Sequence, residues 1–378
     1  MKYQYYKPAI LNHTKLIQYI EGINDRRCFT NNGPLVRELK ERLEAYLGVK
    51  NLLLVSSGTV ALQVAYKALG LKGKIITTPL SFVATASAYK WLNQNLCFAD
   101  IDLDTLNLDP SGVTKHTFLS CDDAVVATHL YGNPCDIASF KRLSLRFENK
   151  TIYDASHAFA TRYGGKSVLS EGDASVISFH ATKLFHTIEG GGIVFASNED
   201  YKRAEKMVNF GFDHQGQVME VGINAKMSEL HAAVGLTVLD DIELMVDQRC
   251  EMVEHYLTCL ASYGIAFPKR QEGVDRYSPS YMPLILESPK ERDLLCNMLR
   301  AEGIETRKYF EGLLHKQTAF TRLSVNLPKA EIIENRLLCL PLYMDLKKAD
   351  ITYICEQVVV ILNKIRQKRL AEKTCKGL

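Results

Sequence analysis

Short apolar runs alternate with longer amphipathic segments through the first half of the chain, and this pattern narrows the possible folds more than any other feature. Leu52–Val55, Ile75–Thr78, Ala124–Thr128, Thr151–Tyr153, Ser175–Phe179 and Ile193–Ala196 are too brief for helices and read as strands. Between several of them lie stretches with helical spacing, such as Val36 to Leu47, which stops at Gly48, and Phe82 to Leu92. Strand, loop and helix repeated in this way predict an α/β domain around a largely parallel sheet. In such a sheet, ligands bind outside the carboxyl ends of the strands. The residues just after each run are therefore the ones to read for chemistry.

From Met227 to about Ser262 the pattern changes to long helical periodicity without caps. An apolar stretch at Tyr281–Leu286, a helix around Glu291–Glu302 and a closing helix near Ala349–Arg366 follow. We read residues 1–235 as a large ligand-binding domain and 236–378 as a smaller α/β domain, with the 227–262 helix linking them. A chain of 378 residues has room for both.

Composition excludes several classes of function. The net charge of +3 is too near neutrality for a nucleic-acid binder, and the basic tail beyond Lys364 reads as a solvated helix end. No stretch approaches the ~20 apolar residues of a membrane span. The opening residues, MKYQYYKPAILNHTK, lack a signal-peptide core, so a cytoplasmic location is expected. The 10 cysteines contain no CxxC pair and read as reduced thiols, and the histidines show no zinc spacing, so no metal is expected.

Three segments after strands carry the chemistry. Ser56-Ser57-Gly58-Thr59 sits between a strand and a helix, where free N–H groups and the helix dipole suit a phosphate. A plain turn with an N-cap would look the same. Asp154, at the end of Thr151–Tyr153, suits a cationic partner such as a pyridinium nitrogen, and His157 could lie beside a flat ring. A helix cap and a packed imidazole are equally open there. Lys183 follows the strand ending at Ser178 by five residues, and Gly190-Gly191-Gly192 then leads into another strand. A buried amine in that position suits Schiff-base chemistry, although a surface lysine in a glycine-rich hairpin remains open on this segment alone. Taken together, with Phe82 as an aromatic candidate, these are the parts that pyridoxal 5′-phosphate requires. The GxGxxG of a nicotinamide enzyme is absent.

The chain resembles the DegT-type nucleotide-sugar aminotransferases, which are fold-type I pyridoxal-phosphate enzymes. The resemblance rests on SSGTVAL (56–62), PLSFVATASA (79–88), D-x-D (100–102), HLYGNPCD (129–136), YDASHA (153–158), SFHATKLFHTIEGG (178–191), GINAKMSELHAAVGL (222–236) and LPLY (340–343). It implies a large domain with a mostly parallel seven-stranded sheet between helices, plus a smaller C-terminal α/β domain. By this resemblance Lys183 holds the cofactor covalently and then shuttles a proton. Asp154 pairs with the ring nitrogen, Phe82 and His157 sandwich the ring, and Gly58, Thr59 and Ser178 bind the phosphate. Asn224 reaches in from a second subunit, so a homodimer with shared active sites is implied.

The same resemblance implies L-glutamate as amino donor, pyridoxamine 5′-phosphate as the intermediate cofactor form and a nucleotide-linked keto sugar as acceptor. The motifs are most similar to those of members that aminate dTDP-4-dehydro-6-deoxy-D-glucose at C4 for surface polysaccharides, O-antigen among them. A 3-aminotransferase or an enzyme of UDP-linked 4-keto sugars is the alternative. A sugar dehydratase of the same family would carry histidine in place of Lys183. A non-catalytic protein on this scaffold would have lost the lysine or the phosphate turn. Two departures stand out: Lys226 replaces the family's usual arginine, and Tyr309-Phe310-Glu311-Gly312-Leu313-Leu314-His315 departs from the usual Tyr-Phe-x-Pro-Leu-His. Lys226, Tyr309 and His315 are the candidates for substrate contacts.

Overall fold

In the computed structural model, which describes residues 1–116, 119–320 and 325–376, seven strands form the central sheet. They are β1 (Leu52–Val55), β2 (Ile75–Thr77), β3 (Leu96–Phe98), β4 (Ala124–Thr128), β5 (Lys150–Asp154), β6 (Ala174–Ser178) and β7 (Gly191–Phe195). Their order is β1-β7-β6-β5-β4-β2-β3. Strands β2 to β6 run parallel, whereas β7 is antiparallel to both neighbours, β1 and β6. The exception has a local cause. Parallel pairing needs a long crossover, and only the loop 179–190 separates β6 from β7, so the chain must turn back. The fold is the expected α/β one, with a mostly parallel seven-stranded sheet.

Both faces of the sheet are covered, which explains why its strands are apolar throughout. On one face α1 (Pro34–Leu47) and α4 (Glu229–Leu239) pack on Ile76 and Val125. On the other, α2 (Gly58–Ala68) and α3 (Ala84–Trp91) pack on Ile75 and Val126. Glu229 is fully buried, and its carboxylate accepts from Leu35 N at 3.0 Å and Val36 N at 2.9 Å. The free N–H groups and positive dipole end of α1 thus hold a buried charge and lock α4 against α1.

The linking region expected as one helix over 227–262 is two. Helix α4 ends at Leu239 and α5 spans Ile242–Leu260, with the break at Asp240 and Asp241. Consecutive aspartates are poor helix-interior residues because their side chains compete for backbone bonds. Asp240 is drawn out of line by Lys15 at 2.6 Å and Arg42 at 2.7 Å.

The second unit is built on an antiparallel pair, β8 (Met282–Ile285) and β9 (Leu337–Leu340). Tyr256, Leu284, Leu299 and Ile354 form its core. The cores are not cut cleanly at residue 235. Tyr3 packs into this second core, while Met245 and Val246 of α5 belong to the first and Leu313 and Leu314 to the cluster on the far face of the sheet. Among the described residues, no helix is long and apolar enough to cross a membrane, and no cluster of His, Cys, Asp and Glu could hold a metal ion.

Candidate active site

A cavity of about 250 Å³ lies beyond the carboxyl ends of β4, β5 and β6. Gly58, Thr59, Phe82, Asp154, His157, Ser178, Lys183 and Tyr309 all line it. Three segments far apart in sequence therefore converge, as the strand-end rule requires.

The turn before α2 is shaped by close packing. Ser57 caps the helix by accepting from Val60 N at 3.2 Å. A Cβ on Gly58 would stand 2.9 Å from Ser178 Cβ, and one on Gly191 would stand 2.7 Å from the carbonyl carbon of Ser57. Both are closer than real Cβ contacts allow. The glycines let β6, β7 and the turn approach one another, leaving the first N–H groups of α2, the Thr59 hydroxyl and the Ser178 hydroxyl together at the cavity. That is an anion cradle.

Asp154 ends β5 and is 5% exposed. Thr85 Oγ1 donates to its Oδ2 at 2.7 Å, and Ser156 Oγ donates to Oδ1 at 2.6 Å. Ser81 extends the chain of hydroxyls, 2.8 Å from Thr85 and 3.0 Å from Thr128. The hydroxyls fix the carboxylate's rotamer. His157 is buried, and its Nδ1 accepts from Tyr131 N at 3.4 Å. Burial, and then the charge of Lys183, push the imidazole well below its ordinary pKa, so the ring is neutral. Phe82, by contrast, lines the cavity but is largely exposed.

Lys183 sits in the loop between β6 and β7. Backbone bonds cross this loop from Phe179 N to Gly190 O at 2.9 Å and from Ala181 N to Ile188 O at 2.7 Å. Ile188 is held at φ 69°, a costly conformation for a β-branched residue. The Tyr6 hydroxyl donates to Ala181 O from outside. Burial lowers the Lys183 ammonium from its ordinary value to about 8, and Asp154 pulls in the opposite direction. An amine poised there can be neutral and nucleophilic near neutral pH.

Other candidate residues lie outside the cavity of their own chain. Asn224 is exposed and lies outside this cavity, bridging instead to Asn209. Lys226 is also outside it, because its ammonium bonds Asn209 Oδ1 at 2.8 Å and packs over the Phe210 ring. His315 is buried in the short turn Leu314–Lys316, beside Phe98 and 3.6 Å from Glu331, away from the cavity. Of the three substrate candidates, only Tyr309 lines the cavity. Sequence reasoning missed Phe310, whose ring lies nearly parallel to His157 at 5.9 Å, and Tyr281, edge-on to His157 at 5.0 Å. It also missed Thr85 and Ser156 on Asp154, although Thr85 stands inside the 79–88 motif and Ser156 inside the 153–158 motif.

The residues present fit pyridoxal 5′-phosphate: a cradle that a Cβ would fill, a buried carboxylate oriented by hydroxyls, and a lysine of lowered pKa. Comparison with known proteins agrees. The DegT/DnrJ/EryC1/StrS aminotransferase family profile matches residues 12–359. A dTDP-4-amino-4,6-dideoxy-D-glucose transaminase of Shigella dysenteriae is 36% identical over 351 residues, 91% of this chain and 95% of that protein. One of the same name from Escherichia coli is 33% identical, covering 95% of this chain and 96% of its own length. The solved structure of DesI in the presence of its TDP-sugar product superposes with a TM-score of 0.91 at 31% identity, covering 98% of this chain and 96% of that one. The chain belongs to the DegT/DnrJ/EryC1/StrS family and is a pyridoxal-phosphate-dependent sugar aminotransferase.

Proposed function

We propose that this enzyme moves the amino group of L-glutamate to dTDP-4-dehydro-6-deoxy-D-glucose, giving dTDP-4-amino-4,6-dideoxy-D-glucose for a surface polysaccharide such as O-antigen. The observation that carries this reading is the pair of relatives bearing that transaminase name, each aligned over nearly the whole chain. The cavity supports the chemistry. When bound, the cofactor supplies an electron sink for the pair left on the amino-bearing carbon. Lys183 Nζ tethers it and, once displaced, takes and returns the proton. Asp154 keeps the ring nitrogen protonated, which deepens the sink. Gly58, Thr59 and Ser178 hold the phosphate, so the pyridoxamine form stays bound without the covalent tether. Phe82 and His157 flank the ring.

The enzyme works as a homodimer in this reading, with Asn224 entering the partner's cavity. The segment leading to Asn224 supports it: Val218 is 67% exposed, Met219 58% and Val221 95%. A monomer gains nothing from such a patch, and a second copy would cover it. The unpaired cysteines suit a reducing, cytoplasmic setting.

The test is spectroscopic. Glutamate should bleach the yellow holoenzyme, and after its removal dTDP-4-dehydro-6-deoxy-D-glucose should restore the colour, with the new C4 amine visible by NMR. Colour that stays away after normal bleaching would discard this sugar and direct the search to UDP-linked and 3-keto sugars.

A further inference from the structure

A dicarboxylate donor needs cations, and the cavity is poor in them. Lys183 is its single lysine, no arginine lines it, and Asp154 and Glu189 add negative charge. Lys226 is tied to Asn209 elsewhere. Behind the wall, however, lies a buried guanidinium without a counter-charge. Arg249 on α5 is 3% exposed, and its Nε is sealed from solvent with no acceptor. The side chains that bear on its charge are the phenols of Tyr6, Tyr281 and Tyr5, with no carboxylate among them.

A guanidinium buried in this way bears a desolvation penalty that no carboxylate among the described residues offsets, and such groups usually have a partner. Of the phenols nearby, Tyr281 is a donor in want of an acceptor too. Tyr281 lines the cavity, and its hydroxyl has no hydrogen-bond partner among the described residues. Tyr6 reaches Ala181 in the loop that carries Lys183, and Tyr5 lies 3.1 Å, hydroxyl to hydroxyl, from Tyr309 on the cavity wall. Arg249 is therefore connected to the site on two sides. A planar, anionic, two-oxygen group suits a guanidinium fork and a phenol O–H together.

We propose that Arg249, with Tyr281, receives a carboxylate of the amino donor. The proposal rests on the reading that the donor is a dicarboxylic amino acid such as glutamate. Recognition of the donor is then housed in the subunit that holds Lys183, and sugar recognition uses other groups.

The test separates the two halves of the reaction in the holoenzyme. Bleaching is followed against glutamate concentration in wild type, Arg249→Gln and Arg249→Lys. The glutamine variant should need about 10–100-fold more glutamate for half-saturation, as expected for loss of a charged hydrogen-bonded pair, with partial recovery in the lysine variant. The sugar concentration that half-saturates the return of colour should not move. Equal losses in both halves, or unchanged glutamate saturation, would overturn the proposal. Should Arg249 variants fail to fold, calorimetry on the wild-type holoenzyme decides. Glutarate should bind tighter than pentanoate, and Tyr281→Phe should narrow that gap; equal affinities, or a gap that Tyr281→Phe leaves unchanged, would contradict it. Wild type that glutamate does not bleach would overturn the donor reading itself; wild type that bleaches alongside an indistinguishable Arg249→Gln overturns only the role of Arg249.

Discussion

The floor and the rim of the cavity are built on different terms. The floor consists of the strand ends, Asp154 on β5 and Ser178 on β6, with Lys183 in the hairpin that follows β6, fixed by the sheet and by hydroxyls at 2.6–2.7 Å around Asp154. The rim is drawn from loops such as the 305–315 stretch, and outside the cavity a 218–224 segment turns apolar side chains outward. One chain brings Gly58, Thr59, Asp154, Ser178 and Lys183 to one cavity. Neither Asn224 nor Lys226 lines its own chain's cavity. In the homodimer proposed above, the floor and the donor's place belong to one subunit, and Asn224 of the partner subunit completes the cavity.

The sharpest way to break that division is at the floor. Lys183→Ala should lower turnover by at least about 10³-fold and abolish the yellow colour, with circular dichroism and thermal unfolding unchanged. The rim is tested by reassortment. Lys183→Ala and Asn224→Ala, each inactive as homodimers, should recover about a quarter of wild-type activity when subunits mix at random, because half the dimers then hold one intact site. No recovery in demonstrably mixed dimers would place Asn224 outside a shared site. Asp154→Asn should cost about 10²-fold or more in turnover while cofactor retention changes little, since it removes a preorganised charge and leaves the cradle.

Smaller effects refine the floor. Gly58→Ala forces a Cβ against Ser178 and should weaken cofactor affinity by about tenfold, measured by titrating the apoenzyme. Adding Ser178→Gly relieves the contact but deletes a hydroxyl, so recovery should be partial. The smallest effect concerns pH. With the Lys183 ammonium lowered to about 8, its neutral fraction grows tenfold per unit below that value and levels off above it. The rate of covalent cofactor capture by apoenzyme should therefore rise with pH up to about 8 and then flatten. A rise continuing toward 10 would mean that Lys183 is not desolvated.

Much of the floor was legible in the sequence, for a physical reason. A parallel sheet presents the residues after its strands to one edge, so Gly58, Asp154 and Lys183 stood out as candidates from pattern, whereas the role of Ser178 came with the family resemblance. The glycine run after Glu189 acquired its reason only in three dimensions, where a Cβ on Gly191 would stand 2.7 Å from the carbonyl carbon of Ser57. The rim was less legible, because loop placement depends on distant packing. Lys226 and Tyr309 are both polar loop residues by sequence, yet one is held by Asn209 and the other enters the cavity. His315 was misjudged because its turn folds into the core beside Phe98. The linking helix was read as continuous because periodicity ran through it, and Asp240-Asp241 was the signal passed over.

The central claim is that Lys183 carries the cofactor at the centre of this floor. Borohydride reduction of the holoenzyme, proteolysis and mass spectrometry test it most directly. The account predicts a phosphopyridoxyl group on the peptide containing Lys183 and on no other lysine. The label on a different residue, or none after reduction of yellow enzyme, would contradict it.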